Sequence, residues 1–277
     1  MLVSREEMRF DFGGARFELP RDAQSLGWIF SQFLYGEVTG IQVGHWIHHA
    51  PDLRSAQFLA RQCAQELSHV RIMRLVFDRL GVEPQPAHRL VRFLSTGLMG
   101  SGWAEHVCLE MALGEGYVLC VFYALLDTIA DEEIVRLLRG ATRQEETHVA
   151  FGEAETERAV RDPAVRRRLL GMSLVSLLAM RRLGGFLRRR ADPGHPVWRQ
   201  IPDFASHVAA VSELRLLRAG VLEVPLALLS RPRAARLVAT GLVARATAIL
   251  GRPRPRRLTH TYLDDPSIAR PAPPSSG

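Results

Sequence analysis

Lysine is absent from this sequence: all 36 basic residues among its 277 are arginine. We ascribe that to genome composition and attach no mechanism to it. Cysteine is scarce. Cys63, Cys108 and Cys120 lie in apolar helical stretches with no C-x-x-C pair. That pattern excludes a disulfide framework, and a rubredoxin-type iron centre or zinc ribbon built from this chain alone. Long unbroken apolar runs are missing too. Glu, Arg or Gly interrupts each before about 18 residues, so no transmembrane segment is expected. Residues 1–10 are too polar for a signal peptide, and a cytoplasmic location is expected. No repeat at a solenoid period and no flavin, nicotinamide or iron–sulfur motif is visible.

What is present begins with a 47% hydrophobic content, enough for one large domain, or one domain with an appendage. The net charge of +7 conceals a division. Residues 1–157 hold 14 Arg against 22 acids, a net of −8. Residues 158–277 hold 22 Arg against 7 acids, a net of +15. The basic half could attract nucleic acid, a membrane surface or an acidic partner, or its Arg-rich helices could cover the acidic half.

The chain divides on its punctuation. Met8-Arg-Phe-Asp-Phe12 and Ala15-Arg-Phe-Glu-Leu19 alternate around Gly13-Gly14, which predicts a short N-terminal β-hairpin within residues 1–20. Helical periodicity with capping signals predicts helices over about 22–49, 52–80, 103–129 and 131–161. A shorter one is expected at 88–96, before the glycine-rich stretch 97–102. Residues 162–250 read as a basic helical extension packed on the preceding bundle, with helices starting at Asp162-Pro163 and near 203 and 233. Residues 251–277 form an Arg-, Pro- and Ser-rich tail, expected to be partly disordered.

Two short motifs then stand out: Glu66-Leu-Ser-His69 and Glu145-Glu-Thr-His148. Each puts a carboxylate and an imidazole on one helical face, about a turn apart. Chance alone supplies roughly one such pair in a chain of this composition, and a single pair is more often a solvated polar face. Position is the stronger argument. Glu37 lies 14 residues before the turn at Pro51 and Glu66 lies 15 after it. Glu115 lies 15 before Ala130 and Glu145 lies 15 after it. In antiparallel helix pairs all four carboxylates would sit at one depth, whereas Glu110 would be displaced by about 7 Å. Four glutamates and two histidines on four helices are the ligand set of a di-iron carboxylate bundle. The expected roles are Glu37 and His69 at one metal, Glu115 and His148 at the other, and Glu66 and Glu145 between them. Two Fe ions would balance four glutamates, and Mn accepts the same donors. Gly40, Gly44, Gly114 and Gly116 would either open space beside the metals or allow close helix packing. His48 is read as a core or rim histidine, His45, His49, His88 and His106 as structural or solvated, and Tyr35, Tyr117 and Tyr123 as core.

At these residues the chain resembles the ferritin-like di-iron carboxylate superfamily over about residues 22–160. Glu145-Glu-Thr-His-Val-Ala-Phe-Gly-Glu153 is similar to the second metal-binding helix of its oxygenase and oxidase branches, and the spacing weakly resembles aldehyde-deformylating oxygenase. The extra histidine of the arylamine N-oxygenases is absent; that position is Ala141. The resemblance implies an all-α fold: a ferritin-like four-helix bundle over 21–161 with extra C-terminal helices. It implies a non-haem di-iron oxygenase or oxidase acting on an apolar or partly apolar small-molecule substrate. An external electron donor, a separate reductase or ferredoxin, would be required, and a homodimer is compatible. The alternative is a ferritin-like iron-binding protein, a ferroxidase or peroxidase, without an organic substrate.

Overall fold

The computed structural model describes residues 1–89, 91–92, 95, 100–190 and 194–251. Residues 90, 93, 94 and 96 of the short helix expected at 88–96, residues 97–99 of the glycine-rich stretch after it and all but the first residue of the 251–277 tail lie outside them. The described chain is helical, and no described residue lies in a strand. Seven long helices carry the architecture: α1 (Ala23–Gly40), α2 (Leu53–Leu80), α3 (Trp103–Thr128), α4 (Glu132–Ala159), α5 (Pro163–Arg190), α6 (Ile201–Arg218) and α7 (Arg231–Gly251).

The caps explain several boundaries. The Asp52 side chain accepts the Ser55 N–H at 2.7 Å and starts α2. Gly81 ends that helix at φ 66°, where a side chain would be strained. Asp131 accepts the Ile134 N–H at 3.0 Å at the start of α4. Asp162 accepts the Ala164 N–H at the start of α5. Two stretches depart from α geometry. The continuation of α1, Ile41–His49, tightens to a 3₁₀ helix. Within α3, residues His106–Glu115 form a π-helical stretch.

Helices α1 and α2 form one antiparallel pair and α3 and α4 another, with α2 lying against α4. Phe33 of α1 stacks on Phe122 of α3 at 4.9 Å, and Phe58 of α2 stacks on Phe151 of α4 at 3.8 Å. Phe30, Phe77, Phe122 and Met73 are fully buried in the core; each contributes about 1.5–3 kcal/mol by leaving water. By length and composition α3 could cross a bilayer, an apolar run longer than the sequence punctuation implied, yet two thirds of that window is buried within the protein. Helices α5 and α6 pack on α3, and α7 packs on α5. Gly171 and Gly241 permit that last crossing, since a Cβ on Gly241 would lie 2.0 Å from the Gly171 carbonyl oxygen.

The N-terminal hairpin does not form. Its turn does: Gly13 and Gly14 adopt φ 57° and 77°, and Ala15 N–H bonds to the Phe12 carbonyl. Its arms, however, do not pair with each other. Phe10 and Phe12 pack on Phe204 of α6. Phe17 instead exchanges backbone hydrogen bonds with Thr128 and Ala130 at the α3–α4 turn. A lone two-stranded ribbon is marginal in water, and burying three phenylalanines on the helices is the better bargain.

Part of the charge division resolves within the molecule. Arg168 pairs with Glu105, Arg215 with Glu153, and Arg218 with Glu7, each joining the basic half to the acidic half.

Candidate metal centre

The six residues singled out by spacing converge. Glu37, Glu66, His69 and Glu145 offer donor atoms within 4.8 Å of one another, as do Glu66, Glu115 and His148. All are buried except Glu115, whose side chain is 22% exposed. The matched distances from the two turns therefore put the carboxylates level, as helix rise requires.

The two Glu-x-x-His motifs are geometrically equivalent. Glu66 Oε1 lies 3.5 Å from His148 Nδ1 and its Oε2 lies 3.8 Å from His69 Nδ1. Glu145 Oε1 lies 3.1 Å from His69 Nδ1 and its Oε2 lies 3.5 Å from His148 Nδ1. Each of these carboxylates thus gives one oxygen to each histidine. Glu37 Oε2 approaches only His69, at 3.0 Å, and Glu115 Oε2 only His148, at 3.9 Å.

Three glutamines complete the arrangement, and the sequence reading missed them. His69 Nε2 donates to Gln144 Oε1 at 2.8 Å, and His148 Nε2 donates to Gln65 Oε1 at 2.7 Å. The pairing is reciprocal: the glutamine before each motif glutamate holds the histidine on the opposite helix. An amide oxygen can only accept, so each ring keeps its proton on Nε2 and turns Nδ1 into the cluster. Gln62 Nε2 donates to Glu115 Oε1 at 2.7 Å. The signal was available, since Gln-Glu-x-x-His occurs twice. Gln65→Leu and Gln144→Leu are each expected to weaken metal binding by about 10- to 100-fold without unfolding the chain. Competition with a metal-binding dye measures this, and an unchanged affinity would mean that the glutamines orient nothing.

The glycines separate into two groups. A Cβ at Gly40 would lie 2.8 Å from Glu66 Oε2, so Gly40 makes room for the carboxylate. Gly116 instead accommodates Arg215, whose Nη1 would lie 2.4 Å from a Cβ there. At Gly44 a Cβ would meet only ordinary contact with Cys63. His45, His48 and His49 are exposed and join no cluster.

The electrostatics describe a site short of positive charge. Burial, then the charges of Glu145, Glu37 and Glu115, raise the Glu66 carboxyl well above its ordinary 4.5. Burial and the charges of Glu145 and Glu37 raise Glu115 likewise. Burial would lower His69, but hydrogen bonds to Glu145 and Glu37 outweigh it and lift the imidazole to about 11. Burial would raise Glu145, but His148 and His69 draw it below the usual carboxylate range. Glu115 Oε2, Glu145 Oε2 and His148 Nδ1 are buried with no hydrogen-bond partner among the described residues. Unmatched carboxylate and imidazole donors facing one another fit a divalent metal.

The cluster borders a cavity of about 430 Å³ between α1, α3, α5 and α6, walled mainly by apolar side chains such as Phe33, Val118, Val121 and Val208. Glu37, Glu66, Glu115 and Glu145 line it, so it reaches the donor atoms. Comparison with protein-family models, with curated proteins and with solved structures gives no match to this chain.

Proposed function

We propose that α1–α4 form a ferritin-like four-helix bundle holding two iron ions, and that the protein is a di-iron oxygenase or oxidase. Glu37 and His69 would hold one ion and Glu115 and His148 the other, with Glu66 and Glu145 between them. Manganese suits the same donors. The observation that carries this reading is the junction of an unsatisfied four-glutamate, two-histidine cluster with a large apolar cavity. Iron bound there would supply reducing electrons and open coordination positions for dioxygen. The chain supplies the rest. Gln65 and Gln144 keep both Nδ1 lone pairs aimed inward. The cavity walls take an apolar or partly apolar substrate and keep water from the donors. Electrons would come from a separate reductase or ferredoxin, and the exposed arginines Arg231, Arg233 and Arg236 on α7 offer an acidic partner a face. Iron storage or ferroxidation alone would give such a cavity no purpose.

Metal analysis of anaerobically purified protein, followed by optical spectra on adding oxygen, tests the proposal. About two irons per chain and a transient visible absorption are expected. Less than one metal per chain after reconstitution would overturn it.

A further inference from the structure

A second polar group faces the same cavity. His106 and Glu110 both line it, and neither belongs to the metal-binding cluster. His106 is 2% exposed. Its Nδ1 donates to Glu110 Oε2 at 2.9 Å, while Glu110 Oε1 accepts the Gly100 N–H at 2.8 Å. The ring stacks on Trp46 at 4.7 Å with the planes 14° apart, which fixes its orientation. Nε2 is buried with no hydrogen-bond partner among the described residues. A buried imidazole nitrogen left unpaired is unfavourable, so this atom is free to accept a hydrogen bond from a bound ligand.

The π-helical stretch explains the placement. Glu110 and Glu115 are five residues apart, which on an α-helix would turn them about 140° from each other. The i→i+5 pattern over His106–Glu115 turns both toward the cavity. One apolar chamber therefore borders both the carboxylate cluster, with Glu115 on the π-helical stretch among its lining, and the His106–Glu110 pair.

We propose that His106, positioned by Glu110, anchors a single O–H group of an otherwise apolar substrate. With Nδ1–H given to the carboxylate, Nε2 presents a lone pair that accepts from an alcohol or carboxylic acid. The ligand class is an aliphatic or aromatic body, matched to the apolar walls, with one hydroxyl-bearing end at His106. This rests on the reading of the cavity as the substrate site.

The test uses the full-length, metal-free protein, so its outcome is independent of iron content. Calorimetric titration compares octan-1-ol with 1-methoxyheptane, which has the same number of heavy atoms but no O–H. The native protein is expected to bind the alcohol about tenfold more tightly. His106→Phe, which keeps a stacking ring, should bring the two within about twofold and leave the ether unaffected. With 15N-labelled histidine, one ring Nε2 resonance should shift on adding the alcohol and stay still with the ether. That measurement needs no variant, and so stands if His106→Phe does not fold. Equal affinity of the native protein for both ligands, or a preference that survives His106→Phe, overturns the anchor.

Discussion

Glu66→Ala is expected to give a folded protein that binds no iron pair and that, without metal, is at least as stable as the native chain. The two halves of this result have opposite signs for one reason. In the metal-free protein Glu66 is buried among three other carboxylates, and its carboxyl is pushed up first by burial and then by Glu145. Removing it relieves desolvation and repulsion, and the small cavity left offsets part of that gain. With metal bound, the same carboxylate would offer an oxygen on the side of each histidine, so its loss would affect both positions. Iron at 100 times its Kd should stabilise the native chain by about 2.7 kcal/mol and the variant by nothing. Thermal melts with and without Fe(II) measure both effects, and Glu145→Ala should agree on the loss of iron binding. Retention of two irons by either variant would sink the assignment.

The pH dependence follows with its sign. A carboxyl whose folded-state pKa is raised lends stability below its unfolded value and loses it as pH rises through the folded one. The metal-free native protein should therefore gain stability as pH falls from neutrality toward 4.5, and Glu66→Ala should flatten that trend. Iron binding should run the other way, because ligands must lose their protons to bind.

Glu153→Ala is the second change with a large expected effect, this time on folding. Arg215 is 1% exposed, and its Nε donates to Glu153 Oε1 at 2.8 Å. The other Glu153 oxygen accepts the Leu2 N–H, which ties the N-terminus to α4. Removing the carboxylate strands a guanidinium in the core and should cost about 3–5 kcal/mol. The paired replacement Glu153→Leu with Arg215→Met should recover most of that loss, because no charge is then left buried. Urea unfolding of the single and double variants decides the matter. A single-variant loss below about 1 kcal/mol would mean that water reaches Arg215.

Much of the centre was legible because helices convert sequence distance into height. Pro51 and Ala130 mark the turns, and the four glutamates stand 14 or 15 residues from them, so their meeting required only a constant rise per residue. Asp52, Gly81, Asp131 and Asp162 marked helix ends through capping chemistry that is local and therefore readable. What escaped depends on other parts of the fold. The alternation around Gly13-Gly14 predicted the turn, but Phe10, Phe12 and Phe17 found better partners on α6 and at the α3–α4 turn. The π-helical stretch left no trace because α3 is apolar nearly all round and has no stripe whose period could be measured. His106 read as structural because only the folded chain shows its stack on Trp46 and its unpaired nitrogen.

The two halves of the centre are nearly interchangeable in sequence but differ in accessibility. Glu37 on α1 is 5% exposed, whereas Glu115 on α3 is 22% exposed at the cavity wall. Of the two proposed metal positions, the one at Glu115–His148 would thus be the labile one. An ion there would leave, or be taken by a chelator, while its neighbour stayed trapped, so metal loss from the loaded protein should proceed in two phases and pass through a singly loaded form.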